Sequence, residues 1–516
     1  SMSSGSFGGK GRGLAFINTI INNLDFSGFT SRINIRTPIT AIIGTKEFEM
    51  FIESNDLNDK IFNEQIPFCK LKEIFLAGKL SDELMRKLPL FLEQLHRPIA
   101  IRSSSIYEDS LTQPFAGVFD TYIIPNNQVE LSKRLEDLTN AIKLVYASVY
   151  KSHVKAYYKT INHKIEEERM AVILQELVGD YFGDYYYPHV SGIAQSYNYY
   201  PVSHMKPEEG FAACAVGLGF YVVDGNKSFR FSPYYPKTNQ YSIKDLINST
   251  QTEFYAVDLK KDSIDYLRDG EHAALTLLDI SEAQKHGTLK HCVSTYNAAN
   301  NTLEPGIGEG PLVVNFANIL NFDYIPLAEI INAMLDTVKE AMGIPVEIEY
   351  AINLNKDDNG LASFYLLQIK PLTGSLISDQ YSFENICPDD QILFSASSLG
   401  NGKIEDIYDI IYIDTQKFDK MQTLEMAKEI DFLNKKMVAE NKKYILIGPG
   451  RWGTSDRFLG IPVVWSQISN AKIIVELSLN NFPLDASLGS HFFHNITSMN
   501  VGYMSVDTLS KNEFIR

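Results

Sequence analysis

Residues 98–123 read PIAIRSSSIYEDSLTQPFAGVFDTYI. Apolar β-branched residues predict a strand ending in Arg102, followed by Ser103, Ser104 and Ser105, the acidic pair Glu108 and Asp109, and a Phe-Ala-Gly turn at 115–117. An arginine at a strand end offers a fork that pairs bidentately with phosphate oxygens, and small hydroxyl residues beside it let the backbone approach closely. The stretch therefore predicts a polyphosphate clamp with Arg102, Ser103 and Ser104 at the ligand.

Upstream, Gly8-Gly9-Lys10-Gly11 predicts a flexible loop that delivers a lysine charge to a phosphate and hands over to a helix with Leu14, Ile17, Ile20, Ile21 and Leu24 on one face. Its spacing is not that of a Walker loop, so by itself it is equally a helix-entry turn. Downstream, alternation in Val346-Glu347-Ile348-Glu349-Tyr350 puts both carboxylates on one face of a strand. A second strand, FYLLQIKPL, lies beyond a turn at Lys356 to Gly360, and hairpin pairing would bring Gln368 and Lys370 beside the two acids. Two carboxylates in register suit a hard divalent cation that bridges to phosphates. A solvated acidic face on an edge strand explains the same pattern.

The chain has 516 residues, which predicts about three domains, and 45% apolar with 21% charged residues places it among folded globular proteins. A formal charge of −16 argues against nucleic acid or an anionic membrane as the main partner. Cys69, Cys214, Cys292 and Cys387 are dispersed, which argues against a disulfide framework or zinc site and for the reducing cytoplasm. No apolar run is long enough to span a membrane. Sequons at Asn248, Asn300 and Asn495 are expected by chance, and Ser1-Met2 reads as an expression scar that would leave upstream sequence missing. Helices are predicted over 45–55, 81–95, 129–159, 327–342 and 424–440, strands over 170–178 and 444–450, a hairpin over 189–200, and a strand-turn-strand over GFAACAVGLGFYVVDG; residues 227–300 show no strong period.

The 98–123 segment resembles the nucleotide-binding segment of the phosphoenolpyruvate synthase and pyruvate phosphate dikinase family, V-R-S-S-A-x-x-E-D-x-x-x-x-S-F-A-G-x-x-D-T-Y. Gly8, Gly9, Lys10 and Leu14 are similar to its opening G-G-K-x-x-x-L. MAVILQELV resembles its strand leading to the adenine hinge, HVSGIAQSYNYYPV its S-G-V-x-F-T-x-x-P, and AVGLGFYVVDG its G-L-G-E-x-V-V-x-G, with Phe220 where an acid is usual. The hairpin resembles its D/E-x-E and Q-x-R-P strands, with Lys370 in the arginine's place, which keeps the charge and loses the fork.

The resemblance implies an α+β fold: a two-lobed ATP-grasp nucleotide-binding domain, lobes 7–125 and 126–378, followed by a smaller α/β domain, 379–516. It implies ATP and magnesium, with Lys10, Arg102 and Lys370 on phosphates, Glu347, Glu349 and Gln368 on the metal, and Gln175, Glu176, Leu177 and Val178 on adenine through main-chain atoms. It further implies cleavage of ATP to AMP and phosphate, with the β-phosphoryl group passed to a histidine and on to pyruvate or another acceptor. The family's pyruvate-binding barrel has no room after residue 372, so full synthase activity is not expected of this chain alone. Its T-S-H phosphohistidine motif is also missing: GPGRWGTSDRFLGIPVVW carries Asp456 instead, and Arg451 on the glycine turn suits an anion. His491, on a glycine-serine turn, is the candidate phosphoacceptor; a packed or capping histidine is the plainer reading. A non-catalytic nucleotide sensor with a ligand- or partner-binding C-terminal domain is the rival.

Overall fold

A computed structural model of the chain describes residues 1–23, 28–29, 31–62, 66–106, 108, 117–152, 154–155, 158, 164–199, 201, 204–238, 242–260, 264–372, 391–395, 397–399, 404, 406–479, 482, 491–498, 501–507 and 514–515. Cys387, Asp109, Phe115, Ala116, Gly489 and Ser490 lie outside them.

Strands Val346–Asn353 and Ala362–Pro371 pair antiparallel, with Glu347 opposite Lys370 and Glu349 opposite Gln368. Their turn is closed by Asp357, which accepts the N–H of Asn359 and Leu361, and by Gly360 at φ +77°. On its other side Val346–Asn353 pairs with Val190–Gln195. The acid-bearing strand is thus central, and an edge strand washed by solvent is excluded. The full sheet has six strands, in the order 33–36, 362–371, 346–353, 190–195, 211–215, 229–231.

The 98–123 segment builds a second sheet, ordered 40–43, 170–176, 99–105, 121–124. Its strand does not stop at Arg102. It continues through Ser105, because pairing with Met170–Glu176 extends to Ser105 opposite Met170, and all three serines are fully buried. The sheets exchange segments: Ile33–Arg36 joins the first, while Met170–Glu176 lies beside Ile99–Ser105 in the second.

The helix Gly8–Asn23 begins within the glycine segment itself, so no separate loop precedes Lys10. Leu14, Ile17 and Ile20 of this helix share a core with Ile173 of the second sheet and Ile369 of the first. Burial of that apolar face, at roughly 25 cal/mol per Å², is what seats the helix across both sheets.

The helices Thr45–Ser54, Asp82–Gln94, Leu327–Met342 and Thr423–Ala439 fall where apolar periodicity predicts. Ser81 caps the second, accepting the Leu84 N–H at 3.2 Å, and Gly343 at φ +70° ends the third. Three expectations fail. The 189–200 hairpin is instead the single strand Val190–Gln195, whose partners are Val346–Asn353 and Phe211–Ala215. The 129–159 helix is interrupted: its first stretch is Leu131–Ser148, where the Ser148 hydroxyl donates to the Val145 carbonyl at 2.7 Å and competes with continuation. Beyond 149–151 the described residues 152, 154, 155 and 158 are again helical, with the Lys155 N–H donating to the Lys151 carbonyl at 3.0 Å. The second half of the strand-turn-strand is instead one helical turn, Phe220–Val223, closed by Val222 N–H to Gly219 O at 3.0 Å. Of the segment with no clear period, Glu253–Asp258 and Leu275–Asp279 join Tyr185–Tyr187 and Asp180–Phe182 in a third sheet.

Tyr444–Pro449 is an inner strand of a five-stranded C-terminal sheet, ordered 397–399, 502–507, 471–478, 444–449, 409–412, which is parallel except at its first pair. Tyr444, Trp452, Phe493 and Tyr503 lie in its own core. Among the described residues no helix is long and apolar enough to cross a membrane.

Candidate functional site

Between the first two sheets lies a cavity of about 230 Å³, lined by Lys10, Arg102, Gln175, Glu176, Leu177, Val178, Glu349, Gln368 and Lys370 among others. Residues up to 360 positions apart in the sequence meet there. Arg102, from the 98–123 strand, reaches across: one guanidinium nitrogen donates to Gln175 Oε1 at 3.0 Å, the other to Gln368 and, at 3.4 Å, to Glu349 Oε2. Lys370 Nζ lies between the two acids, paired with Glu349 and 3.5 Å from Glu347 Oε1. Glu347 sits behind the cavity wall, almost fully buried, and accepts from Gln195 Nε2 at 2.6 Å. Burial pushes its carboxyl above the ordinary range, against the opposing pull of Lys370. Gln195 Oε1 has no hydrogen-bond partner among the described residues.

Lys10 is held by Glu108 at 2.7 Å, and Glu108 also accepts the Ser105 N–H at 2.9 Å and the Ser103 hydroxyl at 3.1 Å. Ser104 donates to the Phe7 carbonyl at 2.7 Å and accepts the Gly11 N–H at 3.0 Å. Ser103 and Ser104 are therefore not among the cavity-lining residues; their hydroxyls fasten the glycine segment and its lysine. Gly8 explains the need for glycine: it has φ +70°, and a Cβ there would lie 2.0 Å from the Ser104 carbonyl oxygen.

At the end of the Met170–Glu176 strand, the Leu177 N–H donates to Pro98 O and its carbonyl accepts the Tyr186 hydroxyl, both at 2.8 Å. Leu177 thus has both main-chain groups engaged, whereas the Val178 N–H has no partner among the described residues.

Sequence reasoning touched the remaining wall only at Phe220 and missed the rest. Phe220 and Asp224 of the one-turn helix line the cavity together with Glu271 and His272. Glu271 accepts the Thr121 N–H at 3.2 Å, and burial followed by the Asp120 charge pushes it up to about 7. Burial, then Glu271, pushes Asp224 up to about 7 as well. Gln195 was missed too, although its register opposite Glu347 follows from the alternation of VSGIAQ.

Arg451 is not open to an anion: it is 3% exposed and donates to the Gly225 carbonyl at 2.5 Å. His491 is the first residue of the helix His491–Ser498, and its side chain lies outside the described residues. Among the described residues, no group of three or more His, Cys, Asp or Glu is arranged to hold a metal, so an ion here would depend on the two carboxylates and the amide oxygens.

The family model for the pyruvate phosphate dikinase AMP/ATP-binding domain matches residues 4–382. The chain belongs to this family, which spans both sheets and the cavity between them. It is 31% identical over 188 residues to an uncharacterized phosphotransferase, YvkC, of Bacillus subtilis, covering 36% of this chain and 20% of that protein. It is 24% identical over 215 residues to a phosphoenolpyruvate synthase of Deinococcus radiodurans, covering 38% of this chain and 25% of the relative. The matches thus span a quarter or less of those relatives' lengths.

Proposed function

We propose that the chain is an ATP-grasp, dikinase-like phosphotransferase module, which binds ATP between the first two sheets, cleaves it to AMP and phosphate, and passes the β-phosphoryl group to His491 or to another acceptor such as pyruvate. The observation that carries this reading is Arg102 of one sheet meeting Glu349 and Gln368 of the other inside the cavity. Lobes over 7–125 and 126–378, exchanging one strand each, would enclose the nucleotide, and 379–516 would form the appended α/β domain.

Adenine would lie against Glu176, Leu177 and Val178, with the Val178 N–H as donor. Lys10, Arg102 and Lys370 would orient the phosphates, Arg102 exchanging Glu349 and Gln368 for phosphate oxygens. Positioning of this kind, rather than covalent chemistry by the protein, supplies most of the catalysis in phosphoryl transfer.

The residues present fit magnesium. Glu347, Glu349 and Gln368 offer hard oxygen atoms, and Gln195 Oε1 is a buried oxygen still lacking a partner. Arg102 and Lys370 formally balance Glu347 and Glu349, so an entering triphosphate needs further positive charge, which the ion would supply.

The test is incubation with magnesium and ATP labelled at the β position, followed by mapping of acid-labile label. Label on His491 with release of AMP and phosphate supports a phosphohistidine route; AMP without protein label points to a small acceptor or water. Nucleotide binding without AMP release would favour the sensor reading, which the pairing of Lys10, Arg102 and Lys370 with carboxylates also suits.

A further inference from the structure

Among the described residues, the loop that follows the C-terminal strand Tyr444–Pro449 bonds to one wall of the cavity. Arg451 Nη1 donates to the Gly225 carbonyl at 2.5 Å, and the Thr454 hydroxyl donates to the same oxygen at 3.4 Å. The Ser455 hydroxyl donates to Asn226 Oδ1 at 2.9 Å, and its N–H to the Asp224 carbonyl at 3.2 Å. These four hydrogen bonds all fall on 224–226, at the end of the helical turn whose Phe220, Val223 and Asp224 line the cavity, while Phe493 meets Tyr199 away from it.

That turn is a stiff unit. Asp224 N–H donates to Phe220 O at 2.9 Å, Gly225 N–H to Val222 O at 3.0 Å, and Asn226 N–H to Tyr221 O at 3.2 Å. Displacing Gly225 therefore displaces Phe220 and Asp224 with it. The gripping loop is equally braced. Trp452, fully buried, donates its N–H to Glu476 at 2.9 Å and its Nε1–H to the Val475 carbonyl at 3.0 Å. At Gly453, φ +73°, a Cβ would lie 2.2 Å from the Phe492 ring. A charged donor bonding out of water is roughly twice as strong as a neutral one, so Arg451 dominates the contact.

We infer that the Arg451–Ser455 loop is a positioning clamp for the nucleotide cavity: the C-terminal domain holds the wall that carries Phe220 and Asp224, and ligand affinity depends on that hold. The inference rests on the cavity's taking a nucleotide, as proposed above. Coupling of this kind is reciprocal, so a bound nucleotide also tightens the docking of the C-terminal sheet.

The test uses the full chain, a non-hydrolysable ATP analogue with magnesium, and the variants Arg451→Ala, Arg451→Lys and Ser455→Ala. The clamp predicts analogue binding weakened by about fivefold or more in Arg451→Ala, partly restored in Arg451→Lys, and weakened to a smaller degree in Ser455→Ala. Without nucleotide, it predicts faster hydrogen exchange at the amides of 222–226 in Arg451→Ala and Ser455→Ala, while those of 444–449 stay protected. If Arg451→Ala exposes 444–449, Ser455→Ala decides. Unchanged exchange at 222–226 together with affinity within about twofold of wild type in the variants overturns the clamp. Failure of the wild-type chain to bind the analogue is a different result, one that contradicts the nucleotide reading; the exchange comparison then still decides whether the loop holds the wall.

Discussion

The ammonium of Lys370 lies 3.5 Å from Glu347 Oε1, directly across the hairpin, and both side chains are almost fully buried. That ammonium settles between Glu347 and Glu349. Replacing Lys370 by methionine leaves Glu347 buried without its cation, while Glu349 keeps Arg102. Lys370→Met is expected to lower folding stability by about 3–5 kcal/mol, and Lys370→Met with Glu347→Gln to recover part of that loss. Urea unfolding of the single and double variants measures it. Equal stability of Lys370→Met and wild type would contradict the pairing.

Gly8 makes a second prediction. A methyl group there meets the Ser104 carbonyl, which is backbone and cannot swing aside, and φ +70° is strained for alanine. Gly8→Ala is expected to cost more than about 1 kcal/mol and to weaken ATP binding by misplacing Lys10. Gly28→Ala is the control, having no atom within 4 Å of its added Cβ. Parallel behaviour of the two variants would show that the close approach at Gly8 does not matter.

Glu168 titrates in an unusual range. It is 1% exposed, accepts the Tyr158 hydroxyl and the Arg169 N–H, and burial pushes its carboxyl from 4.5 to about 7. The folded protein therefore holds this proton more tightly than the unfolded chain. The stabilisation is complete below about pH 4.5 and is lost as pH rises through about 7. Glu168→Gln removes the titrating group, so its stability should fall less between about pH 5 and pH 8 than wild type's, by at most about 3 kcal/mol. Superimposable pH profiles of unfolding free energy would rule this out.

Much of this site was legible in the sequence, and the parts that were not have physical reasons. The hairpin could be read because a period of two and a turn at 356–360 specify antiparallel pairing, whereas the one-residue register shift between Glu349 and Tyr350, which sets Gln368 opposite Glu349 and Lys370 opposite Glu347, has no signal in the alternation. The helix Leu327–Met342 could be read because its apolar stripe and the glycine after it agree. The serines were misjudged because a strand pattern does not say what covers it; the covering helix is brought by long-range packing of Leu14 and Ile17. Val222 and Val223 resemble a strand, but Gly217 at φ +87° starts a turn, and burial of Tyr221 and Val222 then completes the helical turn. Glu271 and His272 reach the wall because two bonds anchor their segment to the second sheet: the Tyr266 hydroxyl donates to the Ile123 carbonyl at 2.9 Å, and the Thr121 N–H donates to Glu271 itself. No local period encodes those contacts.

The most direct test of the central claim is a calorimetric titration of ATP, with and without magnesium, into wild type and Glu349→Gln. Glu349 lines the cavity, touches both Arg102 and Lys370, and is the acid through which metal and phosphate would meet. The account predicts that magnesium strengthens ATP binding to wild type, and that Glu349→Gln loses at least about tenfold of the magnesium-dependent affinity. Absence of ATP binding to wild type, or an identical magnesium response in Glu349→Gln, would contradict it.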